Sequence, residues 1–443
     1  MFSASGFKSL FFDGECFSRS LVWISAVLAV LLQVQVTLFA HGNYLGLRVN
    51  SADLLLPFLG IFVLFQLFFR KKRWPQWSVA YLWGWLALLF AVMSIALVNG
   101  YFVNGVFSSW ALVNKYAGFL VLLGYFLLGG WLVSNFRPSS DVIRVFCTVF
   151  CGFLTVLMAL STVLLFFEPV LGKDFVLIHN PWAGLMVNRN AYMVVAMFAL
   201  VIVLTSYHHE DVALPEWVRI LFWFLMPIFC LHNASRTGWI VLALFLPVFM
   251  ARYPVFSLRK IVLPVVLGVG LAVFSVYGAG ITSPQGQVQY KHISDLVNAP
   301  EGKKMYVGDQ KRLIAVEDGM ELYQTRGNPI IGAGLGSYKP FQIQKRGEFI
   351  DVIDFTALWL LVETGILGLC AFAGFFLVCA YTLWRQWRAG GDSYALIMLV
   401  FLLCFGAMST LHELMYTRFL WFALGLALGR GKIGAGTVKA AAL

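Results

Sequence analysis

The chain has 443 residues, 60% hydrophobic and only 12% charged, with 41 Phe, 16 Tyr and 15 Trp and a formal net charge of +11. Soluble proteins carry about 25% charged residues, so a chain this poor in charge cannot clothe a water-facing surface. The composition excludes a soluble globular enzyme and describes a protein most of whose length lies in lipid. Of the seven cysteines only Cys16 falls outside the apolar stretches or their edges, and no CxxC pair occurs. That distribution argues against a disulfide framework or a zinc site.

Apolar runs of about 17 to 25 residues match a hydrocarbon core of about 30 Å. Twelve candidate spans can be marked off, near residues 20–40, 52–69, 77–98, 118–134, 143–167, 191–207, 217–232, 237–251, 261–280, 355–384, 395–411 and 416–429. The first 19 residues hold Lys8 and Arg19, and no small-residue cleavage site follows the first span, so a retained first helix is expected. The seventh and eighth spans are divided by Asn233-Ala-Ser-Arg-Thr-Gly238, a polar break that lipid would not tolerate at mid-depth, and form a tight hairpin. The expected fold is all-α and polytopic, a single membrane domain over residues 1–443. About twelve transmembrane helices and one large loop, residues 281–354 between spans nine and ten, make it up.

Twelve spans put both termini on one side, and Lys/Arg asymmetry identifies it. With the termini inside, inner segments hold 17 Lys/Arg, including Arg70 to Arg73, whereas the short outer loops hold 6: Arg48, Lys115, Lys173, Arg189, Arg236 and Arg418. The large loop is excluded from that count, and its 9 Lys/Arg balance 9 Asp/Glu. The termini are therefore expected in the cytoplasm and the loop outside. The positive charge reports topology and gives no reason to invoke a nucleic-acid partner.

The residues able to do chemistry lie mainly on the outer side. His179-Asn-Pro-Trp-Ala-Gly184-Leu-Met-Val-Asn188-Arg-Asn190 precedes the sixth span and by itself reads as a Gly/Asn loop with a helix cap. Arg236 opens the eighth span, where free backbone N–H groups, the positive end of the helix dipole and a guanidinium converge as they do on a bound phosphate. An arginine there is equally able to snorkel to lipid head groups. Within the large loop, residues 309–324 have helical periodicity, with Leu313, Ile314, Val316, Met320 and Tyr323 apolar and Lys311, Arg312, Glu317, Asp318 and Glu321 polar. Arg312 stands in the first turn, where the dipole disfavours a cation. Gly327-Asn-Pro-Ile-Ile-Gly332-Ala-Gly334-Leu-Gly336-Ser-Tyr338 follows no strand, fails as a dinucleotide loop, and is left as a tight turn. Asp354 opens the tenth span as a helix cap or a base. Glu363, inside that span, is costly unless paired or facing a cavity. His412, Glu413 and Arg418 share the last outer turn, where an interfacial His can simply be wet.

Taken in order, these pieces resemble the O-antigen ligase and polymerase family. They are Gly184 with Asn188, Asn190 and Ala191; Ser235-Arg236-Thr-Gly238; Arg312 ahead of Asn328-Pro-Ile-Ile-Gly-Ala-Gly-Leu-Gly336; and Glu363-Thr-Gly-Ile-Leu-Gly368. The likeness covers residues 175–430 by motif and the whole chain by its plan. One departure is visible: nine residues before Glu363, ligases typically place a His, commonly followed by Asn, where this chain has Asp354-Phe355.

The resemblance implies transfer of glycan from an undecaprenyl-pyrophosphate carrier on the periplasmic face of the bacterial inner membrane. The acceptor would be another carrier-linked repeat in a polymerase, or lipid A-core in a ligase. It implies an inverting reaction without metal or cofactor, in which Arg236 and Arg312 hold the pyrophosphate. Asp354, or failing it His412 or Glu413, takes the acceptor proton, and Arg189, Asn190, Tyr338, Glu363 and Arg418 contact substrate. A non-enzymatic exporter or flippase of lipid-linked glycan is the rival of another class. No two-half repeat is detectable, and the polar residues crowd one face instead of the midplane.

Overall fold

The computed structural model describes residues 14–38, 47–70, 72–135, 139–171, 185–186, 188–233, 235–252, 258–275, 307–350 and 352–429. These residues are almost wholly helical. In chain order the elements are α1 (Gly14–Leu31), β1 (Gln35–Leu38), β2 (Leu47–Asn50), α2 (Leu56–Phe69), α3 (Leu82–Asn104), a π-helical turn (Trp110–Ala117) leading into α4 (Gly118–Asn135), α5 (Ser139–Leu171), α6 (Arg189–Thr205) and α7 (Glu216–Asn233). They continue with α8 (Arg236–Arg252), α9 (Leu263–Val273), α10 (Val307–Thr325), α11 (Tyr338–Arg346), α12 (Thr356–Gly390), α13 (Ser393–Ser409) and α14 (Arg418–Leu428).

Each of the twelve apolar stretches carries a helix among the described residues. Four are long and apolar enough to cross a membrane: Leu82–Asn104, Trp110–Asn135, Ser139–Phe167 and Thr356–Gly390. Large apolar side chains such as Phe102, Leu120, Val156 and Leu377 stand exposed on their flanks, as helices facing lipid tails require. The protein is an α-helical membrane protein. The first stretch departs from expectation: α1 ends at Leu31, and Gln35–Leu38 pairs antiparallel with Leu47–Asn50, Val36 facing Val49. Val34, Val36 and Thr37 are β-branched and favour the extended backbone over a last helical turn.

Two helices, α6 and α14, are buried along nearly their whole length. The reason α14 can sit so deep is its Gly425-Leu-Ala-Leu-Gly429 pattern. A Cβ at Gly425 would lie 2.2 Å from the Phe126 carbonyl oxygen of α4, and one at Gly429 would lie 2.6 Å from the Cα of Gly130. Small residues four apart let the two backbones touch, the usual way membrane helices gain contact without a hydrophobic driving force. Trp421 of α14 then stacks on Phe375 of α12, ring centroids 5.5 Å apart.

The glycine-rich segment after α10 explains itself against α12. Gly365, at φ 69° and ψ −172°, breaks the helical path of α12. The segment plugs that break: Ala333 N–H donates to the Val362 carbonyl (2.8 Å), Gly334 N–H to that of Glu363 (3.1 Å), and Ile366 N–H to that of Pro329 (3.0 Å). On its other side Leu335 N–H donates to the Ala96 carbonyl of α3 (2.8 Å) and Asn99 Nδ2 to the Gly332 carbonyl (2.9 Å). Irregular backbone at membrane depth is tolerated where protein satisfies its polar groups in this way. Gly334 (φ 89°) is required twice over, since a Cβ would lie 2.1 Å from the Gly100 nitrogen. Gly334→Ala is therefore expected to cost well over the ~1 kcal/mol of an average substitution. Gly391→Ala, at positive φ but with nothing within 4 Å, costs only backbone strain of about 1–2 kcal/mol. Thermal melting of both variants in detergent checks this, and equal losses would contradict it.

The helix expected at 309–324 is α10, but it docks by a different face. Ala315, Asp318, Gly319 and Leu322 are buried while Leu313 is exposed. The cause is Asp318: Arg346 grips it at 2.7 and 2.8 Å, Lys345 at 2.8 Å and Gln342 at 3.1 Å, all from α11. Burial works to raise this carboxyl, but the donated hydrogen bonds outweigh it and hold it at about 2.

Candidate functional site

One end of the bundle gathers the starts of α6, α8, α12 and α14, and the 410–417 turn crosses it. His412 is the hub. The Asn190 Nδ2 amide lies 3.3 Å from its Nδ1, and Thr237 Oγ1 lies 3.0 Å from its Nε2. Asn190 Oδ1 already accepts from Ser235 Oγ at 2.9 Å, so its Nδ2 donates to Nδ1, and the remaining Nε2–H donates to Thr237. Asn188 caps α6 by accepting from Asn190 N–H at 2.8 Å, and Asn233 Nδ2 donates to the Arg189 carbonyl at 3.1 Å. Thr356, first residue of α12, donates to the His412 carbonyl at 2.7 Å. The helices α6, α8 and α12 are thus fixed around one imidazole.

Around that hub stand three guanidinium groups. Burial first, and then Arg312, Arg189 and Arg236, push the His412 imidazole down to about 4. Arg236 is exposed at the first turn of α8, and Arg312 reaches in from α10. Arg312 Nε donates to Asp354 Oδ2 at 2.9 Å, with side chains 31% and 25% exposed, so both remain within reach of a ligand. The capping role open to Asp354 in the sequence is not the one seen: the N-cap of α12 is Phe355, without a side-chain cap bond. Asp354 is turned to Arg312 instead, joining the loop helix to the bundle. Arg189, Arg236 and Arg312 thus all bear electrostatically on His412, at the end of the bundle where α6, α8 and α12 begin.

His412 was open to a wet interfacial reading, but it is 6% exposed with both nitrogens engaged. Its neutral form belongs to the fold, which has a pH consequence. A His depressed from 6.5 to about 4 contributes stability that is present above 6.5 and is lost as pH falls toward 4, because the unfolded chain then binds the extra proton. The slope is at most about 1.4 kcal/mol per pH unit. Melting of the wild type between pH 7 and 4.5 should fall more steeply than that of His412→Gln; parallel curves would contradict the assignment. Asp318, held at about 2, enters only below that window.

Glu413 lies on the other side of the turn. It is ion-paired with buried Lys115, whose ammonium lies 4.2 Å from the centroid of the Trp359 ring. Arg418 is buried and held by Asp53 at 3.2 Å, and Asp53 also accepts from Tyr125 at 2.8 Å. Glu413, Lys115 and Arg418 line a second cavity of about 100 Å³. Two further sequence candidates stand elsewhere. Tyr338 is buried in the α10–α11 network, its hydroxyl receiving Gln342 Nε2 at 2.9 Å. Glu363 is buried at the break in α12, where the Trp359 indole (2.9 Å) and the Gly336 backbone amide donate to it. Among the described residues no three His, Cys, Asp or Glu side chains gather as metal ligands would.

Sequence reasoning missed Thr237, Thr356 and the part played by Lys115. Lys115 did carry a signal, a lone cation at the head of an apolar run. Thr237 stood inside the Ser235–Gly238 motif but, like Thr356, read only as an ordinary helix-start residue.

Residues 221–373, from α7 into α12, match the family described as O-Antigen ligase. That segment, about a third of the chain, holds Arg236, Arg312, Asp354 and the Gly365 break, and over it the chain is similar to the O-antigen ligase family. No curated protein matches the chain.

Proposed function

We propose that the protein is an inverting glycosyltransferase of the inner membrane, working on the periplasmic face. It would transfer or polymerise glycan carried on undecaprenyl pyrophosphate, through twelve spans in one domain with both termini cytoplasmic. The observation that carries this reading is that Arg189, Arg236 and Arg312 all act electrostatically on His412, next to the partly exposed Arg312–Asp354 pair. An apolar groove of about 450 Å³ between α7, α8 and α9, lined by Trp223, Trp239, Leu242 and Val269, supports it. Trp239 and Leu242 follow Arg236 on the same helix, so a carrier's isoprenoid tail can lie in the groove while its pyrophosphate reaches the guanidinium.

In the step envisaged, an acceptor hydroxyl oxygen attacks the anomeric carbon as the bond from that carbon to the pyrophosphate oxygen breaks. The hydroxyl proton passes to Asp354, and the pyrophosphate leaves on its lipid with its growing charge met by Arg236 and Arg312. His412, buried and doubly hydrogen-bonded, orients the surrounding helices. The acceptor is another lipid-linked repeat in this reading, since Asp354-Phe355 departs from the ligase pattern; lipid A-core is the alternative. No metal or cofactor enters the step.

Deleting the gene and running lipopolysaccharide and exopolysaccharide on a gel tests the reading. Loss of chain length with single repeats retained is expected, whereas unchanged polymer would refute it. The topology has its own check. In a cysteine-free background, Lys311→Cys, exposed on α10, should label with an impermeant thiol reagent in intact spheroplasts. Labelling only after lysis would place the site on the wrong side.

A further inference from the structure

We propose, resting on the transferase reading, that the cavity behind the 410–417 turn is a second substrate subsite, one that takes a neutral sugar ring of the acceptor glycan. The cavity, of about 100 Å³, has room for several waters by volume. Its charges are balanced: Lys115 is paired with Glu413, and Arg418 with Asp53. An anion has no surplus cation to meet there, in contrast to the arginine cluster. What the walls offer is the chemistry of a polyhydroxylated ligand: the side-chain amides of Asn114 and Asn188, a carboxylate on Glu413, and the rings of Trp110 and Tyr416 against which the apolar face of a pyranose can lie.

Asn114 points to a ligand. Its Nδ2 is buried and has no hydrogen-bond partner, an unfavourable state in a finished fold. Asn114 stands in the cavity wall, and a turn of its side chain brings that N–H to a sugar hydroxyl, which can in turn donate to Glu413. Position gives the role. On the turn, His412 belongs to the arginine cluster and Glu413 to the cavity; at the start of α6, Asn190 bonds His412 while Asn188 and Ala191 line the cavity. The two subsites share a wall one residue thick, so a hydroxyl on a sugar held behind the turn is presented beside the anion site.

The test uses purified full-length protein and two separate probes. One is the radiolabelled repeat-unit oligosaccharide freed from its carrier by mild acid, and the other is undecaprenyl pyrophosphate without sugar. The wild type should bind both. Asn114→Leu should bind the oligosaccharide at least tenfold more weakly and Asn114→Trp, which fills the cavity, not at all, with undecaprenyl pyrophosphate binding unchanged in each. Asn114→Leu should also melt no lower than the wild type, because an apolar isostere removes an unpaired donor. Undiminished oligosaccharide binding by folded Asn114→Trp would overturn the proposal. So would a parallel fall in undecaprenyl pyrophosphate binding, or a wild type that does not bind the free oligosaccharide. Failure of the transferase reading shows separately, as undecaprenyl pyrophosphate binding that survives Arg236→Ala.

Discussion

Arg236→Ala is expected to lower glycan transfer by about a hundredfold or more, the scale on which loss of one preorganised group facing developing charge is felt. The amount of folded, inserted protein should not change. Arg236 is exposed at the first turn of α8, where the helix dipole works against a cation. Arg236→Lys should recover only a small part of the rate, since a point charge lacks the planar fork that meets two phosphate oxygens at once. Transfer assayed with extracted carrier-linked glycan, beside a size-exclusion profile for folding, separates the two effects. Near-normal transfer by Arg236→Ala would remove the pyrophosphate clamp.

Asp354→Asn is expected to cost a similar factor for a different reason. The amide keeps the shape of the carboxylate and can still accept from Arg312 Nε, but it cannot take a proton at neutral pH, and general base catalysis is worth about a hundredfold or more. Because the Arg312–Asp354 pair is partly exposed at both ends, breaking its charge should change stability by no more than about 1 kcal/mol. Asp354 is not the N-cap of α12, so no capping loss confuses the result. An Asp354→Asn protein that binds undecaprenyl pyrophosphate but does not transfer supports the base role. One that transfers normally moves the base to Glu413, since His412 has both nitrogens engaged.

What could be read in the chain followed the range of the interaction that sets it. The loop helix α10 and the break between α7 and α8 are local, written in periodicity and polarity, and both stand within two or three residues of the expected bounds. The guanidinium at the start of α8 was legible for the same reason. The Arg312–Asp354 pair joins residues 42 apart across a loop, and its carboxylate read more simply as a cap. Asp318, taken for a surface charge, is buried because α11 brings two cations to it, a contact that periodicity cannot express. The glycine-rich segment was legible as a turn, but that it plugs the break at Gly365 depends on two distant backbones meeting. The β1–β2 hairpin was hidden inside an apolar run that hydropathy alone treats as one span. His412 misled by composition: a histidine in a polar turn reads as wet until Asn190 and Thr237 are placed on its two nitrogens.

The central claim is that the arginine cluster holds a pyrophosphate from which glycan is transferred, and single-turnover chemistry on the purified protein meets it most directly. Wild-type protein in nanodiscs, given carrier-linked glycan, should release one free undecaprenyl pyrophosphate for each glycosidic bond formed, and Arg236→Ala should release almost none. Glycan that crosses a sealed bilayer still joined to its carrier, with no undecaprenyl pyrophosphate set free, would show an exporter and contradict the account.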